Sequence, residues 1–148
     1  MSLIRGAITT EGATIDMLVG VSNTRRAVLL RNHLPVPAEV AVRAQLDTGS
    51  FTTCIMPEVF QKLGLSPFER LLIRTPSTRR GEPCPCDRYD VSLTLVAGMA
   101  LTPDPSVWVI ASEDFIPEEH IQAIIGRDLL DKCVLNYEGP QKTFNLAF

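Results

Sequence analysis

The sequence holds 148 residues, 45% of them hydrophobic, with a formal net charge of −3 at pH 7. That size favours one domain, residues 1–148, large enough to bury a real core. No basic run is longer than Arg79-Arg80, which argues against nucleic acid or an anionic membrane surface as a partner. No stretch reaches the length of a membrane span, and Met1 to Thr10 lacks the apolar centre of a signal peptide. The expected location is therefore cytoplasmic, for this chain or for something longer that contains it. Four cysteines, Cys54, Cys84, Cys86 and Cys133, fit a reducing compartment as free thiols. Cys84 and Cys86 are separated by one proline, and His33 and His120 stand apart, so the spacing of a zinc site is missing. Neither a metal nor a cofactor is expected.

Proline, glycine and β-branched residues are spread along the chain and helical periodicity is scarce, the profile of an all-β domain. Thr14 to Val21 is expected as a strand. Ser22-Asn23-Thr24 is a turn signal, and Ala27 to Leu30 is expected to return as the partner strand of a hairpin. Asn32 to Pro37 breaks the pattern, because prolines cannot donate to a ladder. Glu39 to Leu46 alternates polar with apolar at period two, as a strand does. Thr52 to Ile55 is expected as a short strand and Pro57 to Leu63 as a short helix, with Pro57 in its first turn and Gly64 at its end. Leu71 to Thr75 and Tyr89 to Val96 form the arms of a long hairpin whose tip lies around Ser77 to Gly81. Gly98 marks a turn, Val107 to Ile110 a compact strand, and Pro117 to Gln122 a helical turn. Arg127 to Lys132 is expected as a helix with Asp128 in its first turn, where an acid complements the helix dipole. Cys133 to Tyr137 and Thr143 to Phe148 close the chain as a hairpin.

The strand ending at Leu46 runs directly into Asp47-Thr48-Gly49-Ser50. A carboxylate placed where an apolar strand meets a tight loop is a candidate general base. Gly49 permits a close backbone approach, and Thr48 and Ser50 bring hydroxyls that can bond backbone or carboxylate. The same residue types are also common in ordinary turns. A second stretch, Ile124-Ile125-Gly126-Arg127-Asp128-Leu129-Leu130 followed by Val134 to Tyr137, gives the first its meaning.

Taken together, the two stretches resemble the retroviral-type aspartic proteases, the retropepsins. The resemblance covers approximately residues 40 to 137. It implies a single closed, barrel-like β domain with a flap hairpin and one short C-terminal helix. It also implies an aspartic endopeptidase with Asp47 catalytic and Thr48, Gly49 and Ser50 supporting it. Ile125, Gly126 and Arg127 match the family's second motif. Ser77, Thr78, Arg79, Arg80 and Gly81 match the tip of its substrate-binding flap, although this tip lacks the glycine-rich pattern of the viral members.

The chemistry needs two neighbouring carboxyl groups that share one proton, so that one draws a proton from water while the other bonds the developing oxyanion. This chain has one Asp-Thr-Gly, so the resemblance implies a homodimer acting on a peptide or protein substrate. Thr48 inherits the bond across the two-fold axis, and the Ser50 hydroxyl is expected to donate to the ionised carboxylate. Two departures stand out. The family's acidic partner of the motif arginine is replaced by Phe51, and the tail from Glu138 to Phe148 is longer than usual, able either to replace or to block the usual interchain sheet. A second reading is thus a retropepsin-like dimerisation or peptide-binding module with weak or no catalysis. A third, a metal-dependent hydrolase using Asp47 with Cys84 and Cys86, lacks a ligand set of adequate spacing.

Overall fold

The computed structural model describes residues 2–74, 81–97, 100–115 and 120–148. Among these residues, ten strands and three short helices follow in the order β1 (Leu3–Thr9), β2 (Gly12–Val21), α1 (Asn23–Arg31), β3 (Val40–Leu46), β4 (Cys54–Ile55), α2 (Pro57–Lys62), β5 (Glu69–Ile73), β6 (Cys84–Ala97), β7 (Ala100–Ala111), β8 (Ala123–Ile125), α3 (Arg127–Leu130), β9 (Val134–Glu138) and β10 (Thr143–Ala147). The expectation of an all-β, barrel-like domain holds. Strand β2 pairs with β3 on one edge and with β6 on the other, and the circuit β2-β6-β7-β4-β8-β3 closes.

Alternation drives this closure. Ile15, Met17, Val19 and Val21 of β2 turn inward, and Val42 and Ala44 of β3, Val91 and Leu93 of β6, Val107 and Val109 of β7, and Ala123 and Ile125 of β8 meet them in one core. Each large side chain buried this way contributes roughly 1.5–3 kcal/mol of transfer free energy. Helix α2 plugs this core with Val59 and Phe60, and the Phe60 ring stacks on Tyr89 at 3.9 Å. Leu63 caps its end, and Gly64 follows with a φ of 61°, which suits a residue without Cβ.

Hairpin β5–β6 flanks the barrel. Its register sets Glu69 opposite Arg88 and Arg70 opposite Asp87, and both pairs form ion pairs at 2.9 Å. The arm β5 begins and ends earlier than Leu71 to Thr75, and β6 begins well before Tyr89. Ser77, Thr78, Arg79 and Arg80 lie outside the described residues, as do Gly98 and residues 117–119 of the helical turn expected from Pro117 to Gln122; the described remainder, His120 to Gln122, is not helical. Gly81 is exposed with φ of 84°.

Residues Ser22 to Leu30 correct the expected hairpin. They form α1, because the Ser22 side chain accepts from the Arg25 amide at 3.3 Å and caps a helix instead of turning a strand. Asn32 closes the other end by donating from Nδ2 to the Val28 carbonyl. Beyond the barrel, β2 leads back into β1, β1 pairs with β10 from Leu3↔Ala147 to Ala7↔Thr143, and β10 pairs with β9. The terminal hairpin β9–β10 agrees with the sequence reading; β1 was not anticipated by it.

Candidate active site

Asp47 follows directly on β3. Strand β8 lies parallel to β3, with Leu46 opposite Ile125, and antiparallel to β4, with Cys54 opposite Ile124. The two motifs are therefore neighbours in space. The Asp47 amide donates to the Ile125 carbonyl at 3.0 Å, and the Arg127 amide donates to the Ser50 carbonyl at 2.9 Å. The site loop is held along both of its arms.

Gly126 is required by space. A Cβ there would lie 2.5 Å from the Thr52 carbonyl oxygen and 2.6 Å from its carbon, so only glycine lets the two backbones touch. Behind that contact stands a lock that sequence reading missed. Thr53 is fully buried, its hydroxyl donates to Asp128 Oδ1 at 2.8 Å, and its amide donates to Asp128 Oδ2 at 2.8 Å. The same hydroxyl oxygen accepts from the Gly126 amide at 3.2 Å. Asp128 is in the first turn of α3 as expected, yet its carboxylate mainly satisfies Thr53. The available signal was a threonine pair after the aspartate loop together with an acid directly after Gly-Arg.

Within the loop, the Gly49 amide donates to Asp47 Oδ1 at 2.8 Å, and the Ser50 amide to the Asp47 carbonyl at 3.2 Å. A Cβ on Gly49 would stand 3.1 Å from Asp47 Oδ1, so glycine here allows the amide to reach the carboxylate. The aspartate is thereby oriented by its own loop and left half-exposed, with Thr48 and Gly49 exposed beside it. The expected bond from the Ser50 hydroxyl is corrected. That hydroxyl donates to the Thr52 carbonyl at 2.7 Å, and its single proton is engaged there and not at the Asp47 carboxylate.

Cys54, next along β4, is pushed up to about 12, first by burial, then by the charges of Asp128 and Cys86. It is a neutral thiol. Cys86 on the hairpin is raised to about 11, again chiefly by burial, and Cys84 is exposed. Among the described residues, no group of three or more His, Cys, Asp or Glu side chains is placed to hold a metal ion. Arg127 is exposed and makes no ion pair among the described residues, and Phe51 is 52% exposed. Also among the described residues, no helix is long and apolar enough to cross a membrane.

A closed barrel, an aspartate loop locked by a Gly-Arg-Asp turn, and a flanking hairpin together define the retropepsin-like aspartic protease fold. The chain is similar to a retropepsin-like aspartic protease from Rickettsia conorii, at 16% identity and a TM-score of 0.57, over 99% of this chain and 91% of that one. It is also similar to the retroviral protease-like domain of Ddi1 from Leishmania major, at 15% identity and a TM-score of 0.46, over 92% and 94% of the two chains. No family model matches the sequence, and no curated protein matches it.

Proposed function

We propose that this chain, as one domain over residues 1–148, is an aspartic endopeptidase whose two Asp47 carboxyls come together across a homodimer. The observation that carries the reading is Asp47 itself: half-exposed, oriented by the Gly49 amide at 2.8 Å, in a loop bonded to the second motif. With one such loop per chain, a second copy completes the site.

Two carboxyls at short range cannot both ionise, so the pair holds one shared proton. The ionised Asp47 takes a proton from water as the water attacks the peptide carbonyl. The protonated Asp47 of the second copy bonds the developing oxyanion, and the amine leaves once protonated. Thr48, exposed beside the carboxylate, reaches the facing loop, and Gly49 offers its carbonyl to the substrate backbone. The β5–β6 hairpin closes over the substrate as a flap, with Ser77, Thr78, Arg79, Arg80 and Gly81 at its tip. The substrate is a peptide or protein, met in the cytoplasm. No metal or cofactor enters these steps.

One observation favours a second reading. Arg127 is exposed, and Phe51 stands at the position where the family has an acid, so a support of the dimer contact is missing, as in a peptide-binding module with weak catalysis. The test is Asp47→Asn beside wild type, with a peptide-library digest at mildly acidic pH and the mass in solution. Cleavage by wild type and none by a folded, dimeric variant supports the peptidase. Cleavage retained by the variant rejects it, and a wild-type dimer that binds peptides without cutting them selects the second reading.

A further inference from the structure

Strand β6 opens with Cys84-Pro85-Cys86, and a strand turns residues i and i+2 to the same face. The two cysteines therefore point the same way, and their thiols share a hydrogen bond. Cys84 is exposed, with Cys86 half-buried beside it. The other two cysteines are directed elsewhere. Cys54 Sγ donates to the Thr52 carbonyl at 3.6 Å, and Cys133 Sγ to the Leu129 carbonyl at 3.4 Å.

Two residues along a strand separate their Cα atoms by roughly 6.6 Å, near the upper end of the span a disulfide can bridge. Pro85 brings the pair closer. Its ring holds φ near −65°, less extended than a strand, and shortens that separation to about 6.2 Å. Proline has no amide hydrogen either, so a bend there costs no donor of its own. The pair occupies the outermost described rungs of the hairpin, Cys86 opposite Leu71 and Cys84 opposite Ile73. The rungs behind it carry the ion pairs Arg70–Asp87 and Arg88–Glu69, both at 2.9 Å. A contraction between Cys84 and Cys86 is therefore taken up at the outer end of the hairpin.

We propose that Cys84 and Cys86 are a dithiol–disulfide couple oxidised by low-molecular-weight disulfides, and that closing the bond displaces the outer end of the β5–β6 hairpin. Bond formation stands apart from the peptidase reading; only an effect on cleavage rests on that reading. Cys84, as thiolate, attacks one sulfur of the disulfide RSSR, forms a mixed disulfide and expels RS−. Cys86 then loses its proton and attacks Cys84 Sγ, expelling the second RS−. Each cysteine proton ends on one of the two RSH released, and two electrons pass from the cysteines to RSSR. Cys86 suits the second step. Burial, then the Cys84 charge and hydrogen bond, push it up to about 11, so it waits as a thiol. Capping Cys84 removes that charge and lets Cys86 ionise more readily. A bond near the long end of its span is strained and labile, so the dithiol is the resting form and the disulfide appears as the share of RSSR rises.

The test incubates folded wild type and Cys86→Ser with oxidised glutathione and maps their cysteines by mass spectrometry. Wild type should show Cys84 bonded to Cys86 with two hydrogens lost. Cys86→Ser, which cannot resolve the mixed disulfide, should hold at least fivefold more glutathione on Cys84. Equal retention in the two proteins, or a bond to Cys54 or Cys133 instead, overturns the couple. If Cys86→Ser fails to fold, phenylarsine oxide, which bridges two neighbouring thiols, decides on wild type. Protection of both Cys84 and Cys86 from iodoacetamide supports the couple, and no protection overturns it. Amide exchange of Leu71, Leu72 and Ile73 should quicken at least threefold in the oxidised protein and recover with dithiothreitol; unchanged exchange overturns the displacement. A protein that forms the bond but never cleaves peptide, oxidised or reduced, sinks the peptidase reading and leaves the couple standing.

Discussion

Replacing Asp128 by alanine removes the acceptor on which the buried part of the site loop depends. Four bonds to the carboxylate vanish at once; the two that come from buried Thr53, its amide and its hydroxyl, are both 2.8 Å long, and those from the Leu129 amide and the Thr52 hydroxyl are 3.0 and 3.4 Å. Hydrogen bonds to charged groups contribute roughly 1.5–3 kcal/mol each, and a buried amide left without a partner keeps its desolvation penalty. Thr53 is fully buried, so little water replaces the lost acceptor. The expected destabilisation is about 3–6 kcal/mol, a large share of the stability of any small domain. Asp128→Asn separates this from a charge effect. Its Oδ1 can accept from the Thr53 amide while its Nδ2 donates to the Thr53 oxygen, so its cost should stay near 1 kcal/mol. Urea denaturation of the three proteins measures both differences, with equal slopes as the check that only stability has changed. If Asp128→Ala costs less than about 1 kcal/mol, or Asp128→Asn costs as much as alanine, the lock is not what holds the loop.

Gly126→Ala must push a methyl into the Thr52 backbone, 2.5 Å from its oxygen, and should cost about 3 kcal/mol or more; a variant of wild-type melting temperature would refute the close contact. Ser50→Ala breaks the bond to the Thr52 carbonyl and should cost about 1 kcal/mol. It should leave the acid limb of the kcat/KM pH profile in place, and an upward shift would show that the hydroxyl reaches the dyad after all. The Cys54 thiol, held neutral up to about 12, should resist iodoacetamide at pH 8.5 in the folded protein while Cys84 reacts; rapid labelling of Cys54 would contradict its burial. Because the unfolded chain releases the Cys54 proton first, stability should decline as pH rises from roughly 8.5 toward 12, and a shallower decline in Cys54→Ala, where Cys86 still contributes, would assign the difference to this thiol.

Strands buried on one face were legible because their side chains alternate. β2 and β3 could be placed from the sequence within a few residues, as could α2 from Pro57 and Gly64. What failed depended on distant partners. β1 has only Ile4 buried, and Gly6 lies under the Phe144 ring, where a Cβ would sit within 2.5 Å of ring carbons. It is a strand because β10 exists, and nothing local says so. Helix α1 buries only Leu29, so it carries no apolar stripe, and its Ser-Asn-Thr start serves a turn as well as a cap. β7 begins at Ala100, earlier than expected, despite Pro103 and Pro105. It pairs with β6 along that stretch but with β4 only at Ile110 and Ala111, so prolines meet a ladder on one side alone. The aspartate loop and the Gly-Arg turn were visible as motifs. The Thr53–Asp128 bonds that join them were not, since the sequence separation of the two gives no hint of contact.

Those bonds also decide which parts of the site can breathe. The Ser50 carbonyl, the Thr53 amide and the Thr53 hydroxyl are all bound to the Gly126-Arg127-Asp128 turn. The loop that carries Asp47 is therefore tied to the start of α3, and opening it requires that Arg127 release Ser50 and Asp128 release Thr53. In amide exchange, the Thr53 proton should belong with the slowest core strands, although it sits three residues past a half-exposed loop. The arms of the β5–β6 hairpin, by contrast, are joined at the surface by ion pairs at Arg70–Asp87 and Arg88–Glu69. In the peptidase proposed above, the acid would be the fixed jaw and the hairpin the moving one.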